Sequence, residues 1–326
     1  MLFSIPTVIK EINKASESYP YGEEPKELYE PIRYLMALGG KRMRPLLTVL
    51  TYYMFQEDYK KAIGPSLAVE VFHNFSLMHD DIMDKAPLRR GKPTVHEKWN
   101  TNIAILSGDV MLVKAYDILN TCDAKILPDA LRLFNDTATG VCEGQQWDMN
   151  FETENSVTVE QYLHMIKLKT AVLLGFSMEL GGLLAGVDKA TLSALRTCGT
   201  SAGIGFQLTD DVLDVYGDAA TFGKQVGGDI LANKKTYLLI RALEKAEGAS
   251  KKQLQDLLSG KKKVSDAEKV EQVTRLYNEL GIREEAEKRI QEYFDAAFHA
   301  LQSIKGSIYR KHYLKDYLQA LIQRQQ

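Results

Sequence analysis

All nine prolines of this 326-residue chain lie at or before position 128, and residues 129–326 contain none. Proline in a helix interior removes a backbone donor and clashes with the preceding turn, so a proline-free run of this length is open to long helices. The run is dominated by Ala, Leu, Glu, Lys and Gln at helical spacing, with little of the alternation that marks half-buried strands. The expectation is an all-α fold in which strands are incidental. No Pro/Gly/Ser-rich linker, low-complexity tract or short-period repeat divides the chain, which reads as one domain over residues 1–326.

Helices are expected near Thr7–Ser16 and over Lys26–Leu38, Ala68–Met83, Lys98–Thr121, Leu127–Met149, Thr158–Leu174 and Leu192–Tyr216. The Ala68–Met83 run ends in Asp80, Asp81 and Asp84, followed by Arg89, Arg90 and Lys92. Residues four apart on a helix point the same way, so Asp80 and Asp84 form a two-pronged oxygen ligand while Asp81 stands aside. Two carboxylates within about 4 Å repel by roughly 4 kcal/mol at an effective dielectric near 20, so one holds a proton or a cation sits between them. A single motif of this kind reads equally well as a solvated acidic helix end. A second copy, Asp210, Asp211 and Asp214 in GFQLTDDVLDVYGD, again follows an apolar helical run and precedes a lysine, Lys224. The duplication argues against chance.

Cations gather around these carboxylates. Lys41, Arg42 and Arg44 follow the Gly39–Gly40 break. Such a cluster is more commonly a solvated corner, yet flexible backbone beside Lys and Arg is also how proteins grip phosphate. His73 lies seven residues before Asp80, on broadly the same side of the helix; a lone histidine there is more often structural. Gln145 and Asp148 share a face, Lys167, Lys169 and Thr170 lie on the next helix, and the loop over 217–233 holds Lys224, Gly227, Gly228 and Asp229 before Lys234 and Lys235. Lys261–Lys263 reads as a solvated connector, and the chain after Thr236 as packing.

Two carboxylate triads among lysines and arginines suit a polyanion carried by hard divalent cations. Mg²⁺ binds through one or two carboxylates plus substrate phosphates and water, and helix bundles place such sites between facing helices. No P-loop and no Ser/His/Asp or Cys/His arrangement is found, so departure of a diphosphate fits better than nucleotide hydrolysis or acyl transfer. A net charge of −2 makes nucleic acid no obvious partner. Cys122, Cys142 and Cys198, odd in number and scattered, suit reduced thiols and a cytoplasmic location. The first sixteen residues lack the basic start and long apolar core of a signal peptide. Thr170–Val187 is apolar but carries Glu179 and four glycines, and is expected to be a core helix rather than a membrane span.

GGKRMRP, HNFSLMHDDIMDKAPLRRGKPTVH, GQQWDM, KLKT, GFQLTDDVLDVYGD and GKQVGGD, in this order between Gly39 and Thr236, closely resemble the motifs of the trans-isoprenyl diphosphate synthases, the short-chain family of farnesyl and geranylgeranyl diphosphate synthases. The resemblance implies a helical bundle of the isoprenoid synthase type with a central active-site cavity. It also implies a homodimer, and a Mg²⁺-dependent prenyltransferase that condenses isopentenyl diphosphate with dimethylallyl, geranyl or farnesyl diphosphate. By the same resemblance Asp80, Asp84, Asp210 and Asp214 would hold Mg²⁺. Arg89, Lys169, Thr170, Gln207, Lys224 and Lys234 would contact the allylic diphosphate, and Lys41, Arg44, His73 and Arg90 the isopentenyl diphosphate. Asp80, Asp84, Asp210, Arg89, Lys169 and Lys224 would carry the catalysis, in which ionisation, condensation and proton loss need no side-chain nucleophile.

Two departures stand out: the first motif lacks the two-residue insertion of many bacterial farnesyl synthases, and LIQRQQ is poorer in cations than the tails of some relatives. Side chains about one turn before Asp80 would wall the product tunnel. Ser76 lies about 6 Å and Phe75 about 7.5 Å before Asp80 along the helix axis. Ser76 is small and on the Asp80 side, whereas Phe75 is rotated away and obstructs only partly; relatives with an aromatic at this position and no insertion use it as the floor for a twenty-carbon product, so the resemblance favours geranylgeranyl over farnesyl diphosphate, and Phe72 or the Lys98–Thr121 helix is the alternative floor. A class I terpene cyclase fits less well because the second motif is a full aspartate triad. A catalytically silent partner subunit would be expected to lose motif residues, and none is missing.

Overall fold

A computed structural model describes residues 3–217, 226–261 and 263–322 of the chain. The described residues are almost entirely helical: α1 Ile5–Ser18, α2 Lys26–Ala37, α3 Met43–Phe55, α4 Ile63–Met83, α5 Val95–Lys98, α6 Thr101–Leu119, α7 Leu127–Thr153, α8 Val159–Ile166, α9 Val172–Ala185 and α10 Lys189–Tyr216. They continue with α11 Gly228–Leu231, α12 Tyr237–Lys245, α13 Gly248–Leu258, α14 Asp266–Glu279, α15 Ile282–Ser303 and α16 Ile308–Ile322. The strands among the described residues are two, β1 Leu88–Arg89 and β2 Lys92–Pro93, paired antiparallel. The all-α expectation holds.

Local chemistry starts these helices where it should. Ser4 accepts from the Thr7 amide at the head of α1, and Thr158 with Gln161 and Ser265 with Glu268 form reciprocal capping boxes on α8 and α14. The expectation of one unbroken helix over Thr158–Leu174 is corrected: between α8 and α9 the backbone widens into a π turn over Lys167–Ala171. Helix propensity carries no sign of that widening, which lies packed against Gly144 of α7.

The residues fall into two compact units. The first comprises Met1–Thr137, Phe176–Arg196 and Ile304–Lys315. Its core holds Val8, Ile12, Leu46, Leu50, Val69 and Phe72, with Phe134 edge-on to Phe72 at 5.1 Å and tilted against Phe176 at 5.8 Å. The second comprises Ala138–Gly175, Thr197–Ser303 and Asp316–Gln326, with Tyr162, Leu208, Leu254, Tyr277 and Phe294 buried. Among the described residues one helical run, Val159–Ala185, is long and apolar enough to cross a membrane, but 67% of its most apolar window is buried inside the fold. Its Glu179 sits 2.6 Å from Arg196, so the charge that argued for a core helix is paired there.

Candidate active site

Each triad sits near the C-terminal end of a long helix, and in each the middle aspartate turns inward. Asp84 keeps helical dihedrals and its amide donates to the Asp80 carbonyl at 2.9 Å, so Asp80 and Asp84 stay one turn apart on one side of α4. Asp81 is only 2% exposed. Arg89 holds it with a fork, Nε at 2.9 and 2.8 Å from its two oxygens and Nη2 at 2.7 Å, while the same Nη2 lies 3.8 Å from Asp80. A bidentate charge-assisted pair of this kind offsets the cost of burying the carboxylate.

Arg89 is delivered by the β1–β2 hairpin, in which Leu88 pairs with Pro93 and Arg89 with Lys92. The turn residues Arg90 and Gly91 have φ of 53° and 72°, the positive values that a two-residue hairpin turn demands. The Arg-Gly dipeptide between two short flanks is the sequence signal for this hairpin. The Arg90 guanidinium donates to the Gly39 carbonyl, tying the hairpin to the glycine turn.

The cations after that turn do not act alike. Arg42, at φ 48°, swings into the interior, donating to Glu70 at 2.5 Å, to Asn13 at 2.8 Å and to the Met36 carbonyl at 2.9 Å. It is 4% exposed, so of the three cations grouped at this corner Arg42 is a structural one. Lys41 is exposed, and Arg44 lies with Nη1 3.1 Å from His73 Nε2. A guanidinium only donates, so Nε2 accepts and the proton of a neutral ring is assigned to Nδ1. Burial, and then Arg44, Arg90, Arg89 and Arg42, hold the His73 pKa well below its usual value. Ser76 donates to the His73 carbonyl at 2.8 Å, and the Phe75 ring lies tilted against Phe72 at 5.6 Å and edge-on to His79 at 4.8 Å.

In the second unit, the Tyr162 hydroxyl donates to Asp211 and Gln207 Nε2 donates to the other oxygen at 3.2 Å. Thr170 in turn donates to Gln207 Oε1 at 3.2 Å, giving a chain Thr170, Gln207, Asp211, Tyr162. Burial pushes the Asp211 carboxyl up to about 8 despite the bonds from Tyr162 and Gln207, and burial raises Tyr162 well above the usual phenol range. Asp214 accepts from the Asp229 amide at 3.0 Å, and its carbonyl accepts from Gly227 at 2.6 Å, so it anchors the turn that opens α11.

The π turn presents Lys169 and Thr170. It lies directly on α7: a Cβ on Gly144 would stand 2.2 Å from the Lys169 amide nitrogen, so only glycine admits this approach. From there Lys169 reaches Asp148 at 2.6 Å. Burial would raise the Asp148 pKa, but Lys234 and Lys169 hold it below the usual carboxylate value. The structure thus joins Arg89 to Asp80 and Asp81, Arg44 to His73, Lys169 to Asp148 and Thr170 to Gln207. Lys224 lies outside the described residues. Tyr162 carries no sequence signal, because it meets Asp211 through tertiary packing rather than helical spacing, and the same packing gives Asp229 of the glycine-rich loop its partner Asp214.

The donor set suits a hard divalent cation. Asp80 and Asp84 in the first unit offer only oxygen, as do Asp210 and Asp214 in the second, and among the described residues no three of His, Cys, Asp or Glu form a group that could hold a metal ion.

The family model described as polyprenyl synthetase matches residues 25–279. Geranylgeranyl pyrophosphate synthase of Geoglobus acetivorans is 38% identical over 313 residues, covering 95% of both chains. A crystal structure of a geranylgeranyl pyrophosphate synthase superposes with TM-score 0.92 at 39% identity over 99% of both chains. A geranylgeranyl pyrophosphate synthase from Corynebacterium glutamicum, complexed with isoprenyl diphosphate and magnesium, is similar at 26% identity, TM-score 0.84 and 98% coverage of each chain. The chain belongs to the polyprenyl synthetase family. Within it, the chain is an isoprenyl diphosphate synthase, a trans-prenyltransferase of isoprenoid biosynthesis.

Proposed function

We propose that the protein condenses isopentenyl diphosphate with an allylic diphosphate in a Mg²⁺-dependent reaction whose principal product is geranylgeranyl diphosphate. The reading rests on one observation above all: two carboxylate triads of the same design, each with its middle aspartate tethered inward and cations within reach. The geranylgeranyl synthases that the chain resembles over nearly its whole length support the product. The 326 residues are taken as one catalytic domain, consistent with α7, α9 and α10, each of which supplies residues to both units.

In this reading Asp80, Asp84, Asp210 and Asp214 hold the metal, which when bound stabilises the negative charge on the departing diphosphate. Arg89, Lys169, Thr170, Gln207, Lys224 and Lys234 receive the allylic diphosphate, and preorganised cations are worth most where charge develops in the transition state. Lys41, Arg44, His73 and Arg90 hold isopentenyl diphosphate; neutral His73 accepts from Arg44 and so steers its guanidinium without adding a charge that would repel it. Phe75 bounds the tail and Ser76 lets it pass. A homodimer is favoured by exposed apolar side chains on α6, where Leu106 and Val113 are 58% and 57% exposed and lie two turns apart.

The purified protein is incubated alone with isopentenyl diphosphate and each allylic starter, with Mg²⁺ or with a chelator, and products are separated by chromatography. A twenty-carbon product that disappears with chelation is expected. Asp80→Ala and Asp210→Ala should each lower kcat at least about 100-fold, the loss typical of one electrostatic stabiliser. Full turnover in either variant, or none by the wild-type chain alone, contradicts the assignment.

A further inference from the structure

His79 stands immediately before the first triad and has so far had no role. It is one turn after Phe75 on α4, so the two side chains lie on the same side of the helix. Their rings meet edge-on at 4.8 Å and 65°. On its far side the imidazole is seated on α6. Its Nε2 is 3.1 Å from the Ile105 carbonyl oxygen, which can only accept, so the proton is assigned to Nε2. The seat exists because position 108 is glycine: a Cβ there would lie 2.2 Å from His79 Nε2 and 2.6 Å from Cδ2. Phe75 is flanked on its other side by Phe72, at 5.6 Å, which is itself buried against Phe134.

These contacts leave Phe75 gripped between a ring fixed in the core and a ring fixed to the neighbouring helix. Phe72 cannot move without disturbing the core, whereas His79 is held by one hydrogen bond and one glycine-sized recess. We propose that His79 is a positioning residue for product length: bonded to Ile105 and nested on Gly108, it holds Phe75 across the path of the growing hydrocarbon tail. The inference rests on the reading above that Phe75 bounds the product, and adds that α6 controls it through His79. Without His79 the Phe75 ring can turn into the vacated recess, and the tail runs further.

The test reads product length, which a merely structural role would not move. Products of wild type, His79→Ala, His79→Gln, Gly108→Ala and Phe75→Ala are compared by chromatography with farnesyl diphosphate as starter. His79→Ala should raise the ratio of twenty-five-carbon to twenty-carbon product by about fivefold, the factor expected from one aromatic contact. His79→Gln, which retains an N–H for Ile105, should restore most of the wild-type ratio. Gly108→Ala displaces the imidazole without altering α4 and should lengthen the product as well, which keeps the question answerable if His79→Ala does not fold. Addition of His79→Ala to Phe75→Ala should change nothing further. A distribution unmoved or shortened in folded His79→Ala or Gly108→Ala enzyme, while Phe75→Ala lengthens it, overturns the role of His79 and spares that of Phe75. If Phe75→Ala leaves product length unchanged, Phe75 is not the floor and both assignments fall.

Discussion

Tyr162 donates its phenolic proton to Asp211, and both side chains are almost fully buried, at 2% and 4% exposure. Arg89 does the equivalent for Asp81, 2% exposed, in the other triad. Two different donors thus solve one problem: a carboxylate next to a candidate metal ligand is kept from competing with it by being bonded into the interior. The neutral phenol suffices at Asp211 because burial already favours the protonated acid there, whereas Asp81 has a guanidinium.

Tyr162→Phe removes the donor and keeps the ring. A buried acceptor left short of a partner costs about 1–3 kcal/mol, and that loss is expected in urea unfolding. Adding Asp211→Asn should not recover it, since the amide needs partners of its own. A variant as stable as wild type would show that the bond does not hold the second triad.

His73 sets a pH dependence. Its folded-state pKa lies well below the 6.5 of the exposed ring, first through burial and then through Arg44. The unfolded chain therefore binds a proton that the folded chain refuses, and stability rises with pH in that window. The contribution is complete above the unfolded value near 6.5 and is lost as pH falls below it toward the folded value. The difference in unfolding free energy between wild type and His73→Gln should stay level from pH 7.5 to about 6.5 and then shrink by roughly 1.4 kcal/mol for each pH unit that lies between the unfolded and folded values; a difference independent of pH contradicts a neutral, buried ring.

Gly144 and Gly140 lie one turn apart on α7 and should respond oppositely to alanine. At Gly144 the new Cβ would fall 2.2 Å from the Lys169 backbone, which cannot yield without moving the π turn. At Gly140 the nearest atom is a leucine methyl at 3.5 Å, ordinary contact. Gly144→Ala should cost at least about 2 kcal/mol and raise the KM for the allylic substrate. Gly140→Ala should be neutral or stabilising by up to about 1 kcal/mol from helix propensity. Thermal melts and kinetics of the two variants check this, and equal behaviour would disprove the packing argument.

Lys41 and Arg42 are adjacent in sequence and separable in effect. Lys41→Ala, at an exposed position, should leave stability within about 0.5 kcal/mol of wild type while raising the KM for isopentenyl diphosphate roughly tenfold or more. Arg42→Ala strands the buried Glu70 and should cost about 3–5 kcal/mol. Arg89→Ala should show both effects, a stability loss from unpaired Asp81 and a weakened allylic side. Kinetics and unfolding measured on the same preparations distinguish the three.

The sequence by itself determined the elements and the chemistry. Absence of proline after Pro128 and helical periodicity were enough for an all-α chain, because backbone conformation responds to local sterics. The four-residue spacing of Asp80 and Asp84 already placed them on one side of α4, since helical rise and twist relate neighbours within a turn. Tertiary structure alone decided which charges are available. Nothing local distinguishes Arg42 from Lys41 or Arg44; it turns inward because Glu70, 28 residues away, is buried where it can be met. Tyr162 reaches Asp211 across 49 residues, and the π turn at Lys169 lies against α7 at a distance that only Gly144 admits. Desolvation is a property of the packed molecule, not of a stretch of chain, so the pairing of buried charges emerges only when helices distant in sequence exclude water from the same place.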